Sequence, residues 1–170
     1  MIKVVLTGSE STGKTELAHR LGEHFRAPVA EEFVRDYAAQ RGGKLDFEDH
    51  GPIAHGQMAS EDAAIARAAE LVILDTDLVS TVVYCEHYFG RCPSWINQEA
   101  RARAGDLYLL LATDIPWVAD GVRDRGNRRD EMHNLFRQRL REMKLNHMEI
   151  GGEREQRFDN AAAAIRRALR

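Results

Sequence analysis

The sequence predicts an α/β fold, with one parallel sheet covered by helices on both faces. Three observations lead there. Short apolar runs alternate along the chain with segments of helical periodicity. The runs are apolar throughout instead of alternating with polar residues, as in strands buried on both faces. The first run also leads into a glycine-rich loop that opens a helix, "LTGSESTGKT", residues 6–15.

Ile2 to Thr7 reads as the first buried strand. Thr15 to Arg26 follows as a helix, with Leu17, Leu21 and Phe25 spaced by four on one stripe. Ala27 to Ala30 is predicted as a short second strand, and Glu31 to Gln40 as a helix ending in the turn Arg41-Gly42-Gly43. Asp46 to Ala69 is alanine-rich and helical, with an interruption expected at Gly51-Pro52. Leu71 to Leu74 is a strand running into Asp75-Thr76-Asp77, and Asp77 to Phe89 a helix. Pro93 to Ala104 is a helix with proline in its first turn. Leu107 to Ala112 is the next strand. After it comes an arginine-dense stretch, Asp120 to Asp130, holding Arg123, Arg125, Arg128 and Arg129 together with Gly121 and Gly126. A helix over Glu131 to Met143 buries Met132, Leu135, Phe136, Leu140 and Met143. His147 to Ile150 is the last strand, and the final helix aligns Phe158, Ala162, Ile165 and Leu169. No repeat, linker or break in composition divides the chain, so one domain over residues 1–170 is expected.

Composition narrows the function. A net charge of −3 offers no general polyanion surface, so neither a nucleic-acid nor a membrane partner is expected. Of the 24 basic residues 20 are arginine, the planar, bidentate choice for phosphate and carboxylate. The two cysteines, Cys85 and Cys92, form no C-x-x-C pair and suit a reducing compartment. With no charged-then-apolar leader and no apolar run long enough to cross a membrane, a cytoplasmic setting is expected. Oligomeric state has no signature in the sequence.

The chemistry begins at Gly8, Gly13, Lys14 and Thr15, which match G-x-x-x-x-G-K-[ST] between a strand and a helix. The glycines, with Ser11 and Thr12 between them, let backbone N–H groups turn inward around the polyphosphate of ATP. Lys14 reaches the β- and γ-phosphates, Thr15 offers a hydroxyl to Mg²⁺, and the helix start favours the anion. Asp75, at the carboxyl end of a buried strand, is the second candidate ligand for Mg²⁺. A kinase also needs a carboxylate near the acceptor hydroxyl, and two places supply one: Asp77, and "AEEFVRDYA" with Glu32, Arg35 and Asp36. The arginine-dense stretch reads as a lid that closes over the transferring phosphate.

Four segments in order, "GSESTGKT", "EEFVRDYA", "LDTDLVSTVVYCEHYFG" and "DIPWVADGVRDRG", make the chain resemble a known family. It is similar to the nicotinamide riboside kinase domain of bacterial NadR-type NAD-salvage proteins, a branch of the P-loop nucleoside and nucleotide kinases. The resemblance implies a three-layer P-loop sandwich with a five-stranded parallel core and a lid, ATP with Mg²⁺ on the loop, and a nucleoside substrate. The reaction implied is phosphorylation of a ribose 5′-hydroxyl to give nicotinamide mononucleotide. It implies that Glu32, Arg35 and Asp77 line the nucleoside pocket and that Arg123 belongs to the lid. Larger members also carry adenylyltransferase and DNA-binding domains, which are not expected here. Where some members have an aromatic residue before the strand-two glutamate, this chain has Glu31, whose charge is expected to attract the cationic pyridine ring. Trp117 and Tyr37 are candidates for the missing stacking surface.

Overall fold

A computed structural model describes residues 1–115 and 128–170. Five strands, β1 (Ile2–Thr7), β2 (Val29–Ala30), β3 (Leu71–Asp75), β4 (Leu107–Leu111) and β5 (His147–Ile150), form one sheet in the order β2-β3-β1-β4-β5. Every pairing is parallel, with Leu6 opposite Asp75 across β1 and β3. Parallel neighbours need crossovers, and the helices supply them: α1 (Lys14–Phe25), α2 (Phe33–Gln40), α3 (His50–Ile65), α4 (Leu78–Phe89), α5 (Ser94–Ala102), α6 (Arg129–Glu142) and α7 (Arg154–Ala168).

The continuous apolar strands are explained by two cores. Val4, Leu6, Ile73, Leu109 and Leu111 pack on one face with α1 and α7. Val5, Val72, Leu74, Tyr108 and Leu110 pack on the other with α3, α4, α5 and α6. The chain therefore leaves β1 toward one face and β3 toward the other. That reversal between adjacent strands opens a crevice at their carboxyl ends.

The predicted elements are present, with two corrections. Gly51-Pro52 does not interrupt a helix; it lies in the first turn of α3, where proline's missing N–H has no helical partner to lose. A short 3₁₀ turn at Phe47–Asp49 precedes it, closed by mutual hydrogen bonds between Asp46 and Asp49. In α7 Ala162 and Ile165 are buried as expected, together with Arg157, Ala161 and Ala164, whereas Phe158 is only partly buried and Leu169 is exposed. Among the described residues no helix is long and apolar enough to cross a membrane, and Cys85 and Cys92 are unbridged.

Candidate active site

The loop between β1 and α1 is a tight nest. Gly8 has φ +131°, and a Cβ there would stand 3.0 Å from the Leu111 carbonyl, so both the turn and the close approach to β4 require glycine. Gly13, at φ +81°, caps α1 in a left-handed conformation that Ser11 also adopts. The Thr12 hydroxyl donates to the Ser9 carbonyl at 2.9 Å, and Lys14 Nζ donates to the same oxygen at 2.6 Å. Lys14 is buried, its ammonium held along the loop.

Thr15 and Asp75, the two candidate Mg²⁺ ligands, lie side by side. The Thr15 hydroxyl donates to Asp75 Oδ2 at 2.6 Å, while Asp75 Oδ1 is buried with no hydrogen-bond partner. Burial pushes the Asp75 carboxyl up to about 6, aided by the nearby negative charge of Glu32 and opposed by Thr15, Lys14 and Arg35. An orphaned, buried carboxylate oxygen beside a hydroxyl is a hard-oxygen corner suited to a divalent cation such as Mg²⁺. Among the described residues no group of three or more His, Cys, Asp and Glu could hold a metal, so protein ligands would fill only part of its shell.

Glu32 stands at the N-cap position of α2 and is almost fully buried; Arg35 reaches back one turn to its Oε2 at 3.3 Å. Glu32, Arg35, Lys14, Thr15 and Asp75 thus share the crevice. Asp36, one residue further on, is exposed.

Asp77 is not brought there. Its Oδ1 accepts from Val79 N at 3.1 Å and caps α4; its Oδ2 accepts from the Tyr108 hydroxyl at 2.6 Å. Burial pushes its carboxyl up to about 6. Thr76, held at φ +66°, turns the chain so that Asp75 and Asp77 diverge. In this conformation Asp77 serves as the cap of α4, and its expected pocket role is a question for the kinetics of its variant. Glu31 also points elsewhere: it is exposed and pairs with His19 of α1 at 2.8 Å, because successive side chains in extended backbone alternate sides. Tyr37 donates to Asp49 Oδ1 at 2.8 Å. Arg123, Arg125 and Trp117 lie outside the described residues.

Three groups escaped the sequence reading. Arg157 of α7 donates to the carbonyls of Thr12 (3.0 Å), Ala112 (2.9 Å) and Gly152 (2.8 Å) and pairs with Asp114, tying the loop to the ends of β4 and β5. An arginine in register with Ala161 and Ile165 was its signal. Gln57 of α3 accepts from Phe33 N at 3.1 Å and donates to the Thr76 carbonyl at 3.2 Å, joining the start of α2 to the end of β3. Arg129, read only as one lid arginine among four, donates to Ser11 O at 3.2 Å and Ile115 O at 2.6 Å. Beside the loop, Thr12, Gly13, Leu17, Arg20, Ile115 and Arg154 line a small cleft.

The sequence matches the AAA domain family over residues 3–157. It is 34% identical over 163 residues to the trifunctional NAD biosynthesis/regulator protein NadR of Escherichia coli (strain K12), covering 92% of this chain and 39% of that protein. Two crystal structures align with 98% of this chain and 49% of their own. One is a NadR protein in complex with NR, at 25% identity and TM-score 0.79; the other is a NadR protein in complex with NAD and AMP-PNP, at 24% identity and TM-score 0.78. The chain spans less than half the length of each of these proteins.

Proposed function

Since the chain belongs to the AAA domain family, we propose that it is an ATP-dependent kinase that phosphorylates the ribose 5′-hydroxyl of nicotinamide riboside, giving nicotinamide mononucleotide. One observation carries the reading. A phosphate loop, a hard-oxygen cation corner and a buried glutamate braced by arginine open on the same crevice. The similarity to NadR proteins, one crystallised with NR, supports the choice of acceptor.

In this mechanism the loop N–H groups from Gly8 to Thr15, with Ser11, Thr12 and Gly13 among them, and the Lys14 ammonium hold the β- and γ-phosphates of ATP. The small cleft with its guanidinium groups takes the base of ATP. Thr15 and Asp75 would hold Mg²⁺, which when bound would offset charge on the phosphates. Glu32 accepts the proton of the acceptor hydroxyl while that oxygen bonds to the γ-phosphorus and the bond to the β-phosphate oxygen breaks, releasing ADP. Arg35 pairs with the Glu32 carboxylate and holds its aim. Asp36 serves the rim of the acceptor pocket. To Arg123 and Trp117, both outside the described residues, we assign the lid role that the resemblance implies and the stacking role read from the sequence, respectively.

ATP consumption measured against a nucleoside panel tests this. Turnover is expected to depend on added nucleoside, with a higher kcat/KM for nicotinamide riboside than for uridine. ATP hydrolysis indifferent to every nucleoside would assign the chain to ATP-driven switching instead.

A further inference from the structure

The phosphate loop carries a carboxylate that phosphate binding does not explain. Glu10, four residues before Lys14, is 1% exposed. Its Oε2 accepts from the Tyr84 hydroxyl of α4 at 3.2 Å, and its Oε1 is buried without a hydrogen-bond partner. It is not an isolated orphan. The hydroxyls of Thr7, Ser9 and Thr76, at the carboxyl ends of β1 and β3, are also buried and unpartnered. Thr7 shares its sheet face with Val5, which packs in the core that holds Tyr84, so Thr7 and Glu10 turn to the same side. Buried polar atoms in such number call for a partner.

The chemistry of that partner is constrained. An ionised carboxylate only accepts hydrogen bonds, and it repels the phosphates bound a few residues away. It therefore suits a neutral group rich in donors, delivered beside the γ-phosphate. Resting on the kinase reading above, we infer that Glu10, steadied by Tyr84, recognises the ring hydroxyls of the acceptor's sugar and makes the site selective for ribosides over deoxyribosides. The sugar bearing the reacting 5′-hydroxyl lies next to the loop in that reading, and the unpartnered Oε1 of Glu10 is the acceptor the loop itself offers to its other hydroxyls.

The test is steady-state kinetics of the wild type, Glu10→Gln and Tyr84→Phe at saturating ATP, on nicotinamide riboside and its 2′-deoxy and 3′-deoxy counterparts. The KM for ATP is measured alongside. The wild type is expected to reject at least one deoxy compound by roughly 10- to 100-fold, the worth of a hydrogen bond to a charged group. Glu10→Gln is expected to lower kcat/KM on the riboside by a similar factor and to remove most of that discrimination, with the KM for ATP little changed. Undiminished discrimination in Glu10→Gln overturns the assignment, as does a KM for ATP that rises in step with the loss; both leave the kinase reading standing. If Glu10→Gln does not fold, Tyr84→Phe decides: weakened discrimination supports the inference and unchanged discrimination overturns it. A wild type that phosphorylates none of these compounds overturns the kinase reading and this inference with it.

Discussion

At the scale of single residues, Lys14 and Glu32 carry the proposed chemistry, and they are expected to fail differently from Asp77. Lys14→Ala removes the cation that meets the β- and γ-phosphates, and a loss of roughly 100-fold or more in kcat is expected, about 3 kcal/mol of transition-state stabilisation. Circular dichroism should show the fold retained, because the hydrogen bonds lost to Ser9 O and Thr12 Oγ1 lie within the loop and Lys14 belongs to neither apolar core. Glu32→Gln keeps shape and removes the base, so kcat should fall by roughly 100-fold or more while the melting temperature barely moves. Asp77→Ala should show the reverse. It deletes the α4 cap and leaves the buried Tyr108 hydroxyl short of an acceptor, together costing about 2–4 kcal/mol of stability. Its kcat/KM for the acceptor, measured well below the melting temperature, should stay within a few-fold of wild type. A kinetic collapse in stable Asp77→Ala would return Asp77 to the pocket. Nothing in the pattern L-D-T-D distinguishes its two aspartates. The separation comes from the left-handed backbone at Thr76, which appears only once the strand end is folded.

At the scale of elements, α3 is the brace that local pattern could not reveal. Its buried positions Ala54, Gln57, Glu61 and Ala64 follow a helical stripe with two polar members, and the purpose of Gln57 becomes visible only when α2 and β3 are packed against it. Gln57→Met preserves length and loses both hydrogen bonds, freeing the start of α2 and hence Glu32. The expected outcome is a fall in kcat with the KM for ATP unchanged, since the two hydrogen bonds lost go to Phe33 and Thr76 and not to the phosphate loop; a rise confined to the KM for ATP would contradict the bracing role. The strands and most helices were legible because burial on both sheet faces writes itself as apolar runs, and β1 matches its expected bounds. The loop was legible because its glycines answer to backbone geometry. Long-range polar contacts were not. Arg157 reaches Thr12 across 145 positions, and Glu31 turns from Glu32 through an alternation that a helix beginning at Glu31 would have hidden.

At the scale of the whole molecule, a buried acid beneath the sheet ties stability to pH. Glu61 is 2% exposed, and its carboxyl is pushed up to about 7, first by burial and then by the charge of Asp77, despite the Arg103 guanidinium at 3.3 Å. A raised acid binds its proton more tightly folded than unfolded, so its contribution is full below the ordinary value of 4.5 and is lost as pH rises through about 7. Urea unfolding should therefore show stability declining across that window by up to about 1.4 kcal/mol per pH unit from this group. Glu61→Gln should remove that part of the slope; an unaltered slope would place the proton elsewhere. The central claim, however, is that the crevice between β1 and β3 transfers the γ-phosphoryl group of ATP to a ribose hydroxyl. The measurement that meets it head-on is identification of the product by ³¹P NMR and mass spectrometry after incubation with ATP, Mg²⁺ and nicotinamide riboside. The expected result is nicotinamide mononucleotide phosphorylated at the 5′ position, formed one for one with ADP and absent with Lys14→Ala. ADP accumulating with inorganic phosphate while the riboside stays unmodified would contradict the account.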